Sequence, residues 1–186
     1  DVGNGFRART APWRLASKGY KMSEVRAARR GSAVEIATDL AFPAGETKGR
    51  IIYTVRGDGS VEVDYTVTPR GDLPEIPRVG LQMRVPVRLG TVRWFGRGPH
   101  ENYRDRKAGA AVGLWSLPAA DMVFPFVRPQ ENGNRCDARW FSLADGKGQG
   151  LTVRGHAPLS FSVWPSRTTS PGWATRAPVR CVMSSE

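Results

Sequence analysis

The sequence predicts an all-β, antiparallel fold, a sandwich or a barrel of short strands. The first observation is a period of two, because apolar Ile51, Tyr53 and Val55 alternate with less apolar neighbours, as in half-buried strands. The second is the set of 21 glycines and 14 prolines that separate the apolar segments. The third is the lack of a long amphipathic segment of helical period, which disfavours helical and α/β domains.

The stretch RIIYTVRGDGSVEVDYTV predicts a hairpin whose register can be derived from its apolar pattern. A two-residue loop would pair Val55 with Glu62 and would put the two apolar sets on opposite faces. A three-residue loop at 57–59 instead pairs Val55 with Val61, and it needs a left-handed residue at its third position, where Gly59 stands. The same register pairs Arg56 with Ser60, Tyr53 with Val63 and Ile51 with Tyr65. We therefore predict a bulged three-residue hairpin.

Other strands are predicted wherever short apolar runs lie between turn residues. They cover residues 34–42, 79–87, 91–95, 138–143, 150–153 and 159–164. The run SEVRAARR, which begins at Ser23, predicts a short helical turn. From Ser166 onward the sequence has no period-two pattern, and Pro171 and Pro178 would interrupt a ladder. We therefore predict that this end is poorly ordered, or ordered only outside the main sheet.

Size and charge restrict the class of protein. The 186 residues fit one domain or a module of a longer protein. No apolar run approaches the roughly 20 residues of a membrane span, and the first ten residues lack a signal-peptide pattern. The net charge of +11 is spread along the chain without interleaved aromatics, which favours a solvated basic surface over nucleic-acid binding. We expect a cytoplasmic protein that binds neither nucleic acid nor membrane.

Neither a cofactor nor a metal is expected. Cys136 and Cys181 could form one disulfide, but their spacing matches no metal motif, and free, inert thiols in a reducing compartment are favoured. The two histidines, His100 and His156, belong to no zinc-binding pattern.

Two long motifs carry a resemblance to a known family. They are WFGRGPHENYRDRKAGAAVGLW, which begins at Trp94, and VRPQENGNRCDARWFSL, which begins at Val127. They resemble the GxGPxENYxDR and P-x-ENG-x-R motifs of the C-terminal small-chain domain of family 2 β-galactosidases. The matching residues are Gly96, Gly98, Pro99, Glu101, Asn102, Tyr103, Asp105, Arg106, Pro129, Glu131, Asn132, Gly133 and Arg135. The start, DVGNGF followed by APWRLA, also fits, and the resemblance covers about residues 1–164.

The resemblance implies an antiparallel supersandwich of the galactose-mutarotase type in residues 1–164, with a divergent or truncated tail in 165–186. It implies that this module is non-catalytic. The parent glycoside hydrolase cleaves terminal β-galactosides with two glutamates on a (β/α)₈ barrel, and the module would support the substrate pocket. The implied partners are the other domains of the same enzyme and, in the full enzyme, the β-galactoside. The family's Gly-Asp-Asp-Ser-Trp stretch is missing, so its pocket role is not transferred to Trp173.

The carboxylates of the two motifs are more consistent with bracing than with catalysis. Each has arginines nearby in sequence, and a close positive charge favours an ion pair over proton transfer. The expected pairs are Glu101 with Arg97 or Arg104, Asp105 with Arg106, Glu131 with Arg128 or Arg135, and Asp137 with Arg139. Within RPQENGNRCDARW we expect Gly133 to permit a tight turn, Asn132 and Asn134 to bond local backbone, and Glu131 and Arg135 to tie the turn to its surroundings.

Direct sugar contact is the remaining role for the motifs, and His100 and Glu101 are the candidate carbohydrate-binding residues. An alternative from a different class is an autonomous carbohydrate-binding or mutarotase-like module, which would need an acid and a base facing across a sugar. The two histidines have no spacing that matches this arrangement. Self-association is expected if missing strands leave a sheet edge uncovered.

Overall fold

The computed structural model describes residues 5–127, 130–165 and 179–185. Within these ranges the chain forms two antiparallel sheets and four short helical segments, which confirms the predicted all-β, antiparallel class. The galactose-mutarotase type of supersandwich stays a prediction. The chain divides into two compact units, residues 1–79 and residues 80–186, and each unit has one of the sheets.

The first unit has a short helical entry followed by a five-stranded sheet. Its elements are α1 (Phe6–Arg9), a 3₁₀ turn (Ala11–Trp13), α2 (Ala16–Gly19), β1 (Lys21–Met22), β2 (Arg26–Arg30), β3 (Ala33–Ala41), β4 (Lys48–Arg56) and β5 (Val61–Thr68). β3 pairs with β4 along one edge and with both β1 and β2 along the other. β5 extends the sheet beyond β4.

The β4–β5 hairpin has the predicted register. Val55 pairs with Val61, Tyr53 with Val63 and Ile51 with Tyr65. The Arg56 amide donates to the Ser60 carbonyl at 3.0 Å, and the loop comprises residues 57–59. Gly59 has a φ of 84°, the positive value expected at the third position of this loop.

The segment SEVRAARR contains a strand where a helical turn was expected from the sequence. Arg26–Arg30 form β2, which pairs with β3 from Ala37 to Ala33, and all five of its side chains are exposed. The Ser23 hydroxyl accepts a hydrogen bond from the Asp39 amide at 3.0 Å, so it bonds a neighbouring strand and caps no helix. The backbone ladder to β3 overrides the local helical preference of this short run.

The second unit contains a six-stranded sheet in the order β6-β11-β10-β9-β7-β8. Its elements are β6 (Gly80–Val85), β7 (Thr91–Gly98), β8 (Ala111–Pro118), a 3₁₀ turn (Ala119–Met122), β9 (Asn134–Ala144), β10 (Gly150–Pro165) and β11 (Val179–Ser185). Every adjacent pair in this order is antiparallel.

One face of the second sheet buries an aromatic core. Trp94 and Phe141 are register partners on β7 and β9, and both are fully buried. Phe161 stacks on Phe141 with ring centroids 4.4 Å apart and meets Trp94 edge-on at 6.0 Å. Val92 and Leu143 extend the cluster by one further register pair. Full burial of each such side chain contributes about 1.5 to 3 kcal/mol.

β8 lies outside the predicted strands because both of its faces are apolar. Val112 and Leu114 are exposed, whereas Trp115 and Leu117 pack against the buried cluster. A strand with apolar side chains on both faces lacks the alternation that identifies a strand from sequence.

The predicted strands 150–153 and 159–164 are parts of one long strand, β10 (Gly150–Pro165). Arg154 pairs with Trp140 and Leu159 with Ala138, so β10 has extra residues between two ladder segments. Gly155 lies in this bulge, where a Cβ would come within 2.2 Å of the Ala157 carbonyl oxygen. The bulge interrupts the period-two pattern of the sequence. This is why the sequence predicted two strands where the structure has one.

The expectation of no strand in the chain's final segment is wrong for Val179–Ser185. These residues form β11, which pairs with β6 on one side and β10 on the other. A ladder is made by backbone groups, so a run without clean alternation can still occupy the middle of a sheet. Residues 166–178 and Glu186 lie outside the described residues. The division into a domain of residues 1–164 and a divergent or truncated tail stays a prediction.

The hairpin loop gives a direct test of its inferred geometry. Replacing Gly59 by Val puts a β-branched side chain at φ 84°, and we expect a stability loss of about 1 to 3 kcal/mol. A Cβ at Gly59 or at Gly57 meets nothing within 4 Å, so Gly57→Val is the matched control, because Gly57 lacks the positive φ. Chemical denaturation measures both variants. Equal stability of the two variants would contradict the bulged loop.

Candidate functional site

The two sequence motifs meet in space at the end of β7 and the beginning of β9. We call this region the β7–β9 junction, and it comprises residues 96–107 and 131–137. The Asn102 amide donates to the Asn134 carbonyl at 2.8 Å, which joins segments that are 32 residues apart. The backbones of β7 and β9 come close together at Gly96. A Cβ on Gly96 would lie 2.7 Å from the Cα of Ala138, so only glycine fits there.

Asn102 is the buried centre of the junction, with no exposed surface. Its Oδ1 accepts the Cys136 amide at 2.8 Å, and its Nδ2 donates to the His100 carbonyl at 3.0 Å. Its backbone carbonyl accepts Nδ2 of Asn134 at 2.9 Å. Both polar atoms of the Asn102 side chain are therefore used. Nδ2 bonds the loop that contains Asn102, and Oδ1 bonds β9.

Glu101 ties the same loop to the turn before β9. Its Oε1 accepts from Arg106 at 2.8 Å, and its Oε2 accepts the Gly133 amide at 2.9 Å. Gly133 has a φ of 75°, and a Cβ there would lie 2.8 Å from the Met122 carbonyl oxygen. The tight turn predicted at Gly133 is confirmed. The carboxylate that holds it is Glu101, whereas Glu131 was expected, and Glu131 itself is exposed.

Arg135 is buried at the beginning of β9, with 2% of its surface exposed. Its Nη1 donates to the carbonyls of Met122 at 3.1 Å and Gly133 at 2.9 Å, and its Nε donates to Pro99 at 3.2 Å. Its guanidinium lies 5.5 Å from the centre of the Trp94 ring. Burial lowers the pKa of Arg135 to about 10, so it remains charged at neutral pH. Arg135 thus contacts backbone carbonyls where an ion pair with Glu131 was one expectation. The other expected partner of Glu131, Arg128, lies outside the described residues.

Asp137 joins the two motifs through a charge cluster. It has a φ of 53°, and the register of β9 against β10 shifts beside it, as at a bulge. Its carboxylate accepts from Nε of Arg97 and, at 2.9 Å, from Lys107. Arg97 also donates to the Lys107 and Ala110 carbonyls at 3.1 and 2.8 Å. Arg139, the expected partner, donates instead to the backbone carbonyl of Asp137.

Asn132 fixes the loop that follows the 3₁₀ turn. Its Oδ1 accepts the Phe124 amide at 2.8 Å, and its Nδ2 donates to the Phe124 carbonyl. Its own carbonyl accepts Nε1 of Trp164 at 2.8 Å. We expected Asn132 and Asn134 to bond local backbone, but the backbone groups that they bond lie 8 and 32 residues away. Sequence reasoning found these side chains but not the segments that they connect.

Tyr103 packs beside the Glu101–Arg106 pair. The Arg106 guanidinium lies 4.6 Å from the centre of its ring. Burial, and secondly the charge of Glu101, raises the pKa of Tyr103 to about 12. The phenol therefore stays protonated at neutral pH and supplies packing surface.

The candidate sugar-binding residues occupy different environments. His100 is exposed, and no described residue forms a hydrogen bond with its imidazole. Glu101 is adjacent in sequence, but both of its carboxylate oxygens are engaged. Asp105 is exposed, without a hydrogen bond or ion pair to any described residue, so its expected pair with Arg106 is not formed.

Cys136 is buried, and its Sγ accepts a hydrogen bond from Nδ2 of Asn134 at 3.3 Å. No group of three or more histidine, cysteine, aspartate or glutamate side chains with the proximity for a metal exists in the part of the chain that the structure describes. No helix among the described residues is long and apolar enough to cross a membrane.

Comparisons with known proteins agree with the motif resemblance. A family described as beta galactosidase small chain matches residues 2–174. A β-galactosidase of Priestia megaterium is 32% identical over 165 residues, which are 89% of this chain and 16% of that protein. The β-galactosidase BgaC of Bifidobacterium adolescentis is 36% identical over 177 residues, 91% of this chain and 17% of that protein. The chain therefore spans a small part of the length of these relatives.

The buried amide predicts a large stability effect. Asn102→Ala leaves the Cys136 amide and the His100 carbonyl without their partner, and we expect a loss of about 2 to 4 kcal/mol. Asp105→Ala in the same motif removes an exposed side chain and should change stability by less than about 0.5 kcal/mol. Urea denaturation measures both. A small loss for Asn102→Ala would mean that the junction does not depend on this side chain.

Tyr103 should ionise above the ordinary range of a tyrosine with the fold intact, because burial raises its pKa to about 12. Since its folded pKa is raised, its contribution to stability is complete below about pH 10 and is lost between pH 10 and 12. Arg135 contributes a slope of opposite sign in this window, because its folded pKa is lowered. Because these two slopes oppose each other in the pH dependence of stability, the ionisation of Tyr103 is measured directly by tyrosinate absorbance. Tyr103→Phe should remove the ionisation near pH 12, and an unchanged titration curve would contradict the burial of Tyr103.

Proposed function

The chain belongs to the β-galactosidase small-chain family, and on that premise we propose that it is the non-catalytic C-terminal domain of a β-galactosidase. The full enzyme would hydrolyse terminal β-galactosides, with this domain bracing the substrate pocket. The other domains of the same polypeptide would be its partners.

The engagement of Glu101 and Asp137 is the observation that supports a bracing role. Glu101 binds Arg106 and the Gly133 amide, and Asp137 binds Arg97 and Lys107. A retaining glycosidase needs a carboxylic acid and a carboxylate about 5 to 5.5 Å apart with access to the sugar. Carboxylates held by cations and backbone amides are poor proton donors. These contacts favour a structural junction over a catalytic pair.

A sugar contact at His100 remains part of this proposal. The exposed imidazole can exchange hydrogen bonds with a hydroxyl of a bound galactoside, whereas Glu101 would first have to leave Arg106 and Gly133. The alternative mutarotase-like module needs both an acid and a base facing the sugar, and the engaged Glu101 does not favour it.

Activity of a chimera tests the proposal. In the Priestia megaterium β-galactosidase, the segment that matches this chain is replaced by residues 1–186, and hydrolysis of a chromogenic β-galactoside is measured. We expect activity within about tenfold of the parent enzyme, a difference of about 1.4 kcal/mol. The same enzyme with the segment deleted should be inactive. The isolated chain should also be inactive, and turnover by it that Glu101→Gln abolishes would contradict the proposal.

The same chimera separates His100 from Glu101. His100→Ala should raise KM by roughly two- to tenfold with kcat unchanged, as loss of a uniform binding contact does, and should leave the melting temperature unchanged. Glu101→Gln should instead lower the melting temperature, because it weakens the contacts to Arg106 and Gly133. An unchanged KM for His100→Ala would remove the sugar contact from the proposal.

A further inference from the structure

The outward face of the second sheet carries a continuous row of large side chains across four strands. Leu114 of β8 pairs with Phe95 of β7, Phe95 with Trp140 of β9, and Trp140 with Arg154 of β10. Antiparallel register partners point to the same side of a sheet. This is the side opposite the buried Trp94–Phe141 pair, because successive side chains on a strand alternate between faces.

This face is exposed although much of it is apolar. Leu114 is 59% exposed, Val112 46% and Phe95 39%. On the inner face, the corresponding residues of β7 are completely buried. A contiguous apolar patch on a well-ordered sheet is typical of a surface that is covered in the working protein.

The charge on this face has one sign. Arg93, Arg139 and Arg154 are exposed, and the strand segments 91–97, 112–118, 139–144 and 150–154 contain no aspartate or glutamate. The neighbouring carboxylate of Asp137 already binds Arg97 and Lys107. A partner would therefore supply apolar side chains opposite the row and carboxylates opposite the arginines.

We propose that the outward face of β7–β10 is the surface on which this module docks against an acidic and apolar surface of another domain of its own β-galactosidase polypeptide. The proposal rests on the proposed function. The relatives provide such a surface in principle, since the matching segment is only 16% or 17% of their length. The remaining length must contact the module somewhere if the enzyme is compact.

A second copy of this chain fits the face less well than another domain. Isologous pairing places the same patch on both partners, so two patches of the same positive charge would meet, with no carboxylate on these strands to compensate. A sugar also fits less well. The Arg139 guanidinium lies 5.6 Å from the centre of the Phe95 ring and covers a ring face that would otherwise stack on a pyranose.

Hydrogen exchange of residues 111–118 tests the docking surface. The segment is compared in the isolated chain and in the Priestia megaterium chimera described above. β8 is the last strand of its sheet, so we expect exchange at least about tenfold slower in the chimera, as for amides covered by a stable interface. Leu114→Glu in the chimera should restore the rate of the isolated chain. Arg93→Glu should give a smaller effect in the same direction.

Matched controls separate docking from folding. Val61→Glu and Arg30→Glu change exposed strand residues of the other unit and should leave the protection of residues 111–118 unchanged. Leu114→Glu in the isolated chain should leave its melting temperature unchanged, because the side chain is mainly exposed. Equal exchange in the isolated chain and the chimera, or full protection in the Leu114→Glu chimera, would overturn the docking proposal.

A second copy of the chain or a sugar on the outward face would give results that differ from those of domain docking. A dimer of the isolated chain that Leu114→Glu dissociates, or binding of lactose to the isolated chain that Leu114→Glu abolishes, would overturn docking in favour of a second copy or a sugar. An active chimera with unprotected β8 would overturn the docking surface and leave the proposed function intact. An inactive chimera would overturn the proposed function.

Discussion

The exchange of hydrogen bonds between Asn102 and the first residues of β9 is the interaction on which the junction depends. Asn102 and Asn134 each bond the backbone of the other segment, and the Asn102 side chain also accepts the Cys136 amide. All of these groups are buried, so water cannot replace a lost partner, and the cost of breaking one bond is that of an unsatisfied polar group. Glu101, Arg135 and the charge cluster of Asp137 add contacts between the two segments that Asn102 joins.

The polar side chains of the junction bond other parts of this chain, which bears on the role of the junction. Arg135 donates hydrogen bonds to three backbone carbonyls. The two carboxylate oxygens of Glu101 accept from Arg106 and from the Gly133 amide. Groups held in this way fix loops in place, because releasing any one of them leaves another unpaired. A rigid junction is consistent with the bracing role proposed for this domain, and the exposed basic and apolar face of β7–β10 is the surface proposed for its docking.

Local features of this protein could be predicted from sequence, and distant pairings could not. The hairpin register followed from Val55, Val61 and Gly59, all within one short stretch. The motif residues were identified, but Asp137 pairs with Arg97, 40 residues away, because a bulge turns its carboxylate from the neighbouring Arg139. β11 was missed for a related reason. Its place between β6 and β10 is fixed by backbone pairing with distant strands, which its side-chain pattern does not reveal.

Native-state hydrogen exchange at single-residue resolution tests the central claim, that the two motifs form one rigid structural junction. The informative amides are those of Asn102, Gly133 and Cys136, which donate to Asn134, Glu101 and Asn102 respectively. The account predicts that they exchange only through global unfolding, with the same free energy as the Phe141 amide of the buried core. Exchange of these three amides through a low-energy local opening, while Phe141 stays protected, would show a mobile loop and contradict the account.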